Sequence, residues 1–180
     1  MTEQQPEASL HTRLCDLLGC EVPVLLAGMG GVSRWELAAA VANAGGYGIL
    51  GMVRESPDLI TKEVTAMRAA TDRPFAVNLI VHKSNARLEQ DLALCVKHQV
   101  PLIITSLGAR EDVNEAIHGY GGLVFHDIIN NRFAKKAIEK GADGLVAVAA
   151  GAGSPTTAAT RAPTSSISAV EMRSLRMASQ

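Results

Sequence analysis

The feature that most limits the folds open to this chain is a repeated alternation of short apolar runs with amphipathic segments. The first run, Val22–Ala27, has no polar alternation, which is typical of a strand buried on both faces of a sheet. A glycine-rich loop follows it. An amphipathic segment then runs from Arg34 to Ala44, with Ser33 as the expected N-cap and Gly45 as the stop. The same order recurs until residue 149.

This pattern predicts six strands and five helices. The strands are expected at Val22–Ala27, Tyr47–Leu50, Phe75–Val81, Leu102–Thr105, Leu123–His126 and Gly144–Ala149. The helices are expected at Arg34–Ala44, Pro57–Ala70, Asn85–His98, Glu111–His118 and Asn130–Lys140. The strands start every 21 to 28 residues, which is close to the repeat of an eight-fold barrel.

Continuous apolar strands that alternate with helices imply a parallel sheet, either closed into a barrel or doubly wound. The loop Gly28–Gly31 does not read as GxGxxG, and no acidic residue ends the second strand, where a dinucleotide-binding fold would hold a ribose. We therefore expect an α/β fold of the (β/α)8 TIM-barrel type. The barrel is expected to be incomplete, because about six βα units fit into the chain.

The composition changes at residue 150. Residues 150–180 are rich in Thr, Ser, Ala and Pro and lack the apolar run that a seventh strand needs. We therefore divide the chain into an N-terminal extension (1–20), a partial barrel (21–149) and an atypical tail (150–180). Truncation, or replacement of the end of a complete barrel, is the interpretation that this tail suggests.

Charge and cysteine content exclude several classes of function. The net charge is -1, so we expect neither nucleic acid nor a membrane surface as a partner. The cysteines form no CxxC pair and no residues have metal-ligand spacing, so neither disulfides nor a metal are expected. The start, Met1–Ala8, has no secretory pattern, which indicates a cytoplasmic protein. A homo-oligomer is left open.

Candidate functional residues follow from the position of the working face, which in a parallel barrel lies at the carboxyl ends of the strands. Asn78 interrupts an apolar run, so it either bonds neighbouring backbone or holds a ligand. His126 ends the fifth strand beside Asp127, and the two are candidates for an acid/base pair, with an ordinary loop histidine as the alternative. The glycine clusters either admit a flat or phosphorylated ligand or serve as plain turns.

Four stretches of the chain resemble the nitronate monooxygenase family, once called 2-nitropropane dioxygenases. They are PVLLAGMGGV (23–32), ELAAAVANAGGYG (36–48), FAVNL (75–79), and AKKA (134–137) leading into GADGL (141–145). They occur in the family order, and the first two together are quite specific. The resemblance implies a TIM-barrel flavoprotein with FMN as cofactor, an oxidoreductase that oxidises alkyl nitronates with O2 to carbonyl compounds and nitrite.

The resemblance also implies roles for particular residues. It places the backbone of the glycine loop against the flavin and lets Asn78 bond the cofactor. The family histidine in the stretch AGGHxG would fall at Pro155 here, so His126 is the remaining candidate for the catalytic acid/base. The candidate cofactor-binding residues are Gly28, Met29, Gly30, Asn78, Gly151 and Gly153.

Two alternatives stay open at this point. The sequence shows no seventh or eighth strand, whose loops hold the FMN phosphate in such barrels, so a catalytically inactive fragment is one alternative. Enoyl-acyl-carrier reductases of the same flavin-barrel class share the opening motif. A flavoprotein that reduces an unsaturated acyl substrate with NAD(P)H is therefore the other alternative.

Overall fold

The structure is a computed structural model that describes residues 10–51 and 56–148. Within these ranges it contains six helices and five strands. The helices are α1 (Arg13–Leu18), α2 (Trp35–Asn43), α3 (Pro57–Ala70), α4 (Leu88–Lys97), α5 (Glu111–His118) and α6 (Asn131–Glu139). The strands are β1 (Gly48–Gly51), β2 (Phe75–Ile80), β3 (Leu102–Ser106), β4 (Leu123–Ile128) and β5 (Gly144–Ala147).

The five strands form one parallel sheet in the order β1-β2-β3-β4-β5. Each strand pairs with the next strand along the chain, so the winding keeps one direction. A doubly wound sheet reverses its strand order at a switch point, whereas a barrel adds its strands in sequence. The observed order therefore confirms the TIM-barrel type of topology that the sequence predicts, in an incomplete form.

The first predicted strand, Val22–Ala27, is reduced to a single parallel bridge between Leu25 and Tyr47. The amide of Leu26 donates to the Tyr47 carbonyl (3.0 Å), and the Tyr47 amide donates to the Val24 carbonyl (2.9 Å). The segment therefore lies where a strand beside β1 would lie. Pro23 has no N–H to donate and Gly28 begins the loop, so the ladder extends no further in either direction.

The longest apolar stretch of the chain, residues 37–53, contains the end of α2, a turn, and β1. Gly45 makes this turn with a φ of 88°, in the left-handed region that favours glycine. The prediction of a helix, a turn and a strand is therefore confirmed over its described part. Within the described ranges, no helix has the length and apolar character that crossing a bilayer requires.

The start of α2 is stabilised differently from the prediction. Ser33 does not cap the helix: its hydroxyl donates to the Ala27 carbonyl (2.6 Å) and accepts from the Met29 amide (3.1 Å), which closes the glycine loop. The Trp35 amide donates instead to the buried carboxylate of Glu63 on α3 (2.9 Å). Because a carboxylate satisfies the free N–H groups of a helix N-terminus, Glu63 caps α2 from the neighbouring helix.

The sheet separates two apolar clusters. One lies between the sheet and helices α2 to α5, and it includes Leu50, Val77 and Ile103. The other lies on the opposite face, which we call the inner face, and it contains Cys15, Leu18, Cys20, Tyr47, Ile49, Ala76, Leu102, Ile104 and Phe125. The inner cluster therefore includes α1 and Cys20. Part of the predicted N-terminal extension thus shares the core of the sheet.

Candidate functional site

Three polar side chains on adjacent strands are joined by hydrogen bonds near the carboxyl ends of β2, β3 and β4. The Asn78 amide donates from Nδ2 to Ser106 Oγ (2.8 Å). The Ser106 hydroxyl donates in turn to Asp127 Oδ2 (2.5 Å). We call these three residues the Asn78–Ser106–Asp127 network. It lies where a parallel barrel carries its working groups.

The network lies on the inner face of the sheet. Successive residues of a strand point to opposite faces, so residues two apart share a face. Each member of the network lies two residues beyond an apolar residue of the inner cluster on its own strand, the three being Ala76, Ile104 and Phe125. The network therefore forms the polar layer directly above the inner core.

His126 lies on the opposite face, against the helices. It is 4% exposed, and its Nδ1 is 2.6 Å from the Thr105 hydroxyl oxygen. Burial lowers the pKa of the imidazole, and the positive charge of Lys136 on α6 adds to this effect. The expected pair of His126 and Asp127 is thus divided between two faces. Only Asp127 joins Asn78.

Asp127 is half-buried, and burial raises the pKa of its carboxyl above the ordinary value. The hydrogen bond from Ser106 and the proximity of His126 act in the opposite direction. A carboxyl whose charged form is disfavoured by its surroundings exchanges its proton closer to neutral pH. Asp127 therefore has the environment of a group that can hold or release a proton.

The Asn78 side chain is 9% exposed and has a fixed set of partners. Its Nδ2 donates to the Ile104 carbonyl (3.3 Å) as well as to Ser106. Both N–H groups are therefore used, whereas Oδ1 accepts no hydrogen bond from any residue that the structure describes. The nitrogen of Asn78 therefore bonds the neighbouring strand, as one of the two alternatives predicts, and ligand binding by its oxygen stays a prediction.

The glycine loop lies directly against this network. A Cβ added to Gly28 would lie 2.6 Å from the Asn78 Cβ, so no larger residue fits there without displacing the asparagine. A Cβ added to Gly51, at the end of β1, would lie 2.3 Å from the Met29 carbonyl oxygen. The loop therefore covers the end of β1, with Met29 and Gly30 exposed.

The structure thus brings together four of the residues that the sequence singles out, namely Gly28, Met29, Gly30 and Asn78. Gly151 and Gly153 lie outside the described residues. Sequence reasoning named Asp127 as the partner of His126 in a candidate acid/base pair and gave Ser106 no role. The period-two alternation along β3 and β4 would have assigned both to the face of Asn78, given the strand register.

Several exposed apolar side chains follow a strand or the bridged segment, namely Met29, Val32, Leu107, Ile129 and Val148. Leu107 directly follows Ser106, is 69% exposed and has a φ of 62°. A leucine in the left-handed region is strained by about 1 to 2 kcal/mol. The loop after β3 thus presents an exposed apolar side chain next to Ser106.

The sequence model of the nitronate monooxygenase family matches residues 11–90. The chain is 41% identical over 93 residues to the nitronate monooxygenase of Paraburkholderia phytofirmans, covering 50% of the chain and 24% of the relative. It is 32% identical over 139 residues to the (3aS,4S,5R,7aS)-5-hydroxy-7a-methyl-1-oxo-octahydro-1H-indene-4-carboxyl-CoA dehydrogenase of Mycobacterium tuberculosis, covering 76% of the chain and 38% of the relative.

Two solved structures are similar to the chain. FabK from Thermotoga maritima is 31% identical with a TM-score of 0.72, and 76% of the chain covers 43% of that protein. Nitroalkane oxidase from Streptomyces ansochromogenes is 26% identical with a TM-score of 0.69, and 76% of the chain covers 48% of it. The chain thus spans less than half the length of each of these relatives. Residues 11–90, which include the glycine loop and Asn78, thus match the nitronate monooxygenase family.

Proposed function

We propose that the protein is an FMN-dependent oxidoreductase that oxidises alkyl nitronates with O2 to carbonyl compounds and nitrite. The close packing of the Gly28 backbone against Asn78 carries this proposal, because it lies in the segment that matches the family and at the working face of the sheet. The names of the relatives, a monooxygenase, an oxidase and a dehydrogenase, support the oxidoreductase class.

The residues present fit a flat heteroaromatic ring. The loop leaves Met29 and Gly30 exposed, and Gly30 has no side chain of its own to block the approach of a ring. Asn78 offers one unpaired acceptor, Oδ1, beside that loop. Exposed apolar side chains such as Leu107 follow the strand ends. When bound, FMN would supply the redox chemistry.

In this proposal the protein binds and orients the ring and controls a proton. Gly28, Met29, Gly30 and Asn78 hold the cofactor, together with Gly151 and Gly153 from outside the described residues. Asp127 faces the same side of the sheet, where its half-buried carboxyl can take up or release a proton. The acid/base role that the sequence predicts for His126 is a separate question, because this side chain packs on the other face, against the helices.

A second candidate is a flavoprotein that acts on an acyl thioester with NAD(P)H. The relatives that match 76% of the chain include FabK and a carboxyl-CoA dehydrogenase, whereas the nitronate monooxygenase from Paraburkholderia phytofirmans matches 50%. The exposed apolar side chains that follow the strand ends suit an acyl chain as well as an alkyl nitronate. The two candidates differ in what delivers electrons to the flavin.

The first experiment is a titration of the purified chain with FMN, followed by flavin fluorescence. We expect saturable quenching and a raised melting temperature. Oxygen uptake with an alkyl nitronate then supports the first candidate, and anaerobic bleaching of the flavin by NADPH supports the second. Absence of saturable FMN binding would contradict both candidates for this chain.

A further inference from the structure

We infer that Ser106 and Asp127 are positioning residues that hold the Asn78 amide with its oxygen toward the ligand, so that the site selects a ligand group that donates a hydrogen bond. The identity of this ligand as a flavin rests on the proposed function. The orientation of the amide rests only on the network itself. The two parts therefore have separate tests.

The amide orientation is set from two directions. The Ile104 carbonyl can only accept, so it requires the nitrogen end of Asn78. Ser106 directs its hydroxyl proton toward Asp127, so its lone pairs face Asn78 and again require the nitrogen end. Oδ1 is left as the free atom of the side chain. Only a group with an N–H or O–H, such as the imide of a flavin ring, can pair with it.

Asp127 controls this arrangement through its charge. An ionised carboxylate can only accept a hydrogen bond, so the Ser106 hydroxyl donates its proton to Asp127. A protonated carboxyl can instead donate to Ser106, which frees the hydroxyl proton to point at Asn78. The amide can then turn its oxygen toward Ser106 and away from the ligand, at the cost of its longer bond to the Ile104 carbonyl (3.3 Å). Ionised Asp127 therefore holds the amide in this orientation, and protonation of Asp127 weakens that hold.

Few other charges act on Asp127. Within the described residues, His126 on the same strand is the titratable side chain whose charge shifts the pKa of Asp127. The neighbouring strand β3 contributes the neutral Ser106, and β5 pairs with Asp127 at the apolar Val146. A pH response that disappears in Asp127→Asn is therefore assigned to Asp127.

The first test uses the ligand-free chain. NMR follows the side-chain amide protons of Asn78, identified by their absence in Asn78→Ala, between about pH 4 and pH 8. We expect these signals to shift with pH in the unmodified chain and to lose this response in Asp127→Asn and in Ser106→Ala. Thr105→Val is the matched control, since Thr105 lies next to Ser106, is 2% exposed and faces the helices. Signals that do not respond in the unmodified chain would overturn the inference.

The second test uses riboflavin, which has no phosphate and keeps its charge over this range. We expect its affinity to weaken about fivefold to tenfold as pH falls through the titration of Asp127, the usual scale for one hydrogen bond. Asp127→Asn and Ser106→Ala should bind riboflavin with a flat pH profile, and Thr105→Val should retain the dependence. Ser106→Ala keeps the charge of Asp127, so a pH dependence that persists in it would overturn the inference.

The two tests separate the inference from the proposed function. If the Asn78 signals titrate as expected but riboflavin does not bind, the orientation of the amide stands and the flavin proposal fails. If riboflavin binds but the Asn78 signals do not titrate, the flavin proposal stands and the positioning role is wrong.

Discussion

Gly28 and Asn78 are 50 positions apart in the chain and lie in direct contact, since a Cβ added to Gly28 would approach the Asn78 Cβ to 2.6 Å and its Cγ to 3.2 Å. The contact joins the loop after the bridged segment to the middle of β2. The position of the Asn78 amide therefore depends on the absence of a side chain at residue 28.

This contact predicts the effect of Gly28→Ala. The added methyl group should displace Asn78, weaken FMN binding tenfold or more, and cost about 1 to 3 kcal/mol of stability as an overpacked site. Flavin fluorescence and thermal melting measure the two effects. Gly119→Ala is the matched control, because a Cβ there would come no closer than 3.4 Å to another atom and its φ is -58°. Equal FMN affinity in the two variants would contradict the prediction.

Asn78→Ala should lower FMN affinity by about 1 to 3 kcal/mol, the usual cost of removing a buried hydrogen-bond partner. The matched control is Asn114→Ala, which also removes a buried amide, one that donates to the Lys140 carbonyl at 2.8 Å far from the network. We expect the control to lose stability and keep its FMN affinity. Unchanged binding in Asn78→Ala would remove this residue from the site.

Asp127→Asn should stabilise the fold at neutral pH. Burial raises the pKa of the folded-state carboxyl, so the contribution of Asp127 to stability is fully present below its unfolded pKa and is lost as pH rises through the folded pKa. The asparagine side chain in Asp127→Asn carries no charge, so the variant does not lose stability as pH rises. The melting temperature at pH 7 should rise by about 2 to 4 °C for each kcal/mol gained in the free energy of unfolding. This rise should shrink toward zero at acid pH. A gain of the same size at every pH would contradict the role of ionisation.

Glu63→Ala should destabilise the fold by about 3 kcal/mol, because it leaves the Trp35 amide and Arg34 without a buried carboxylate. Glu89→Ala is the control: its carboxylate pairs with Arg110 at the surface and is 73% exposed, so the change should cost less than about 1 kcal/mol. Urea unfolding measures both variants. Similar losses in the two would show that Glu63 does not cap α2.

His126→Ala tests the acid/base role that the sequence predicts. The burial of His126 against the helices and its hydrogen bond to Thr105 lead us to expect a loss of about 1 to 3 kcal/mol in stability, with near-normal turnover per folded molecule. Turnover slowed about a hundredfold or more, with flavin still bound, would instead support the acid/base role.

Local signals in the sequence determined the elements of this protein. Pro57 and Ser56 mark the start of α3 at its observed first residue, where the Ser56 hydroxyl accepts from the Leu59 amide (3.3 Å). The apolar run Phe75–Val81 predicts β2 to within one residue. Such signals act between residues a few positions apart, so they can be read without knowing the fold. The parallel barrel-type order and the position of Asn78 followed from them.

Tertiary structure decided the features that depend on distant residues. Glu63 replaced Ser33 as the cap of α2 because α3 packs beside that helix and brings a buried carboxylate to its first turn. The register of β3 and β4 placed Ser106 and Asp127 with Asn78 and turned His126 to the other face. The backbone hydrogen bonds of a strand are the same whichever face its side chains point to. Only the packing of helices against one side of the sheet decides which face is the inner one.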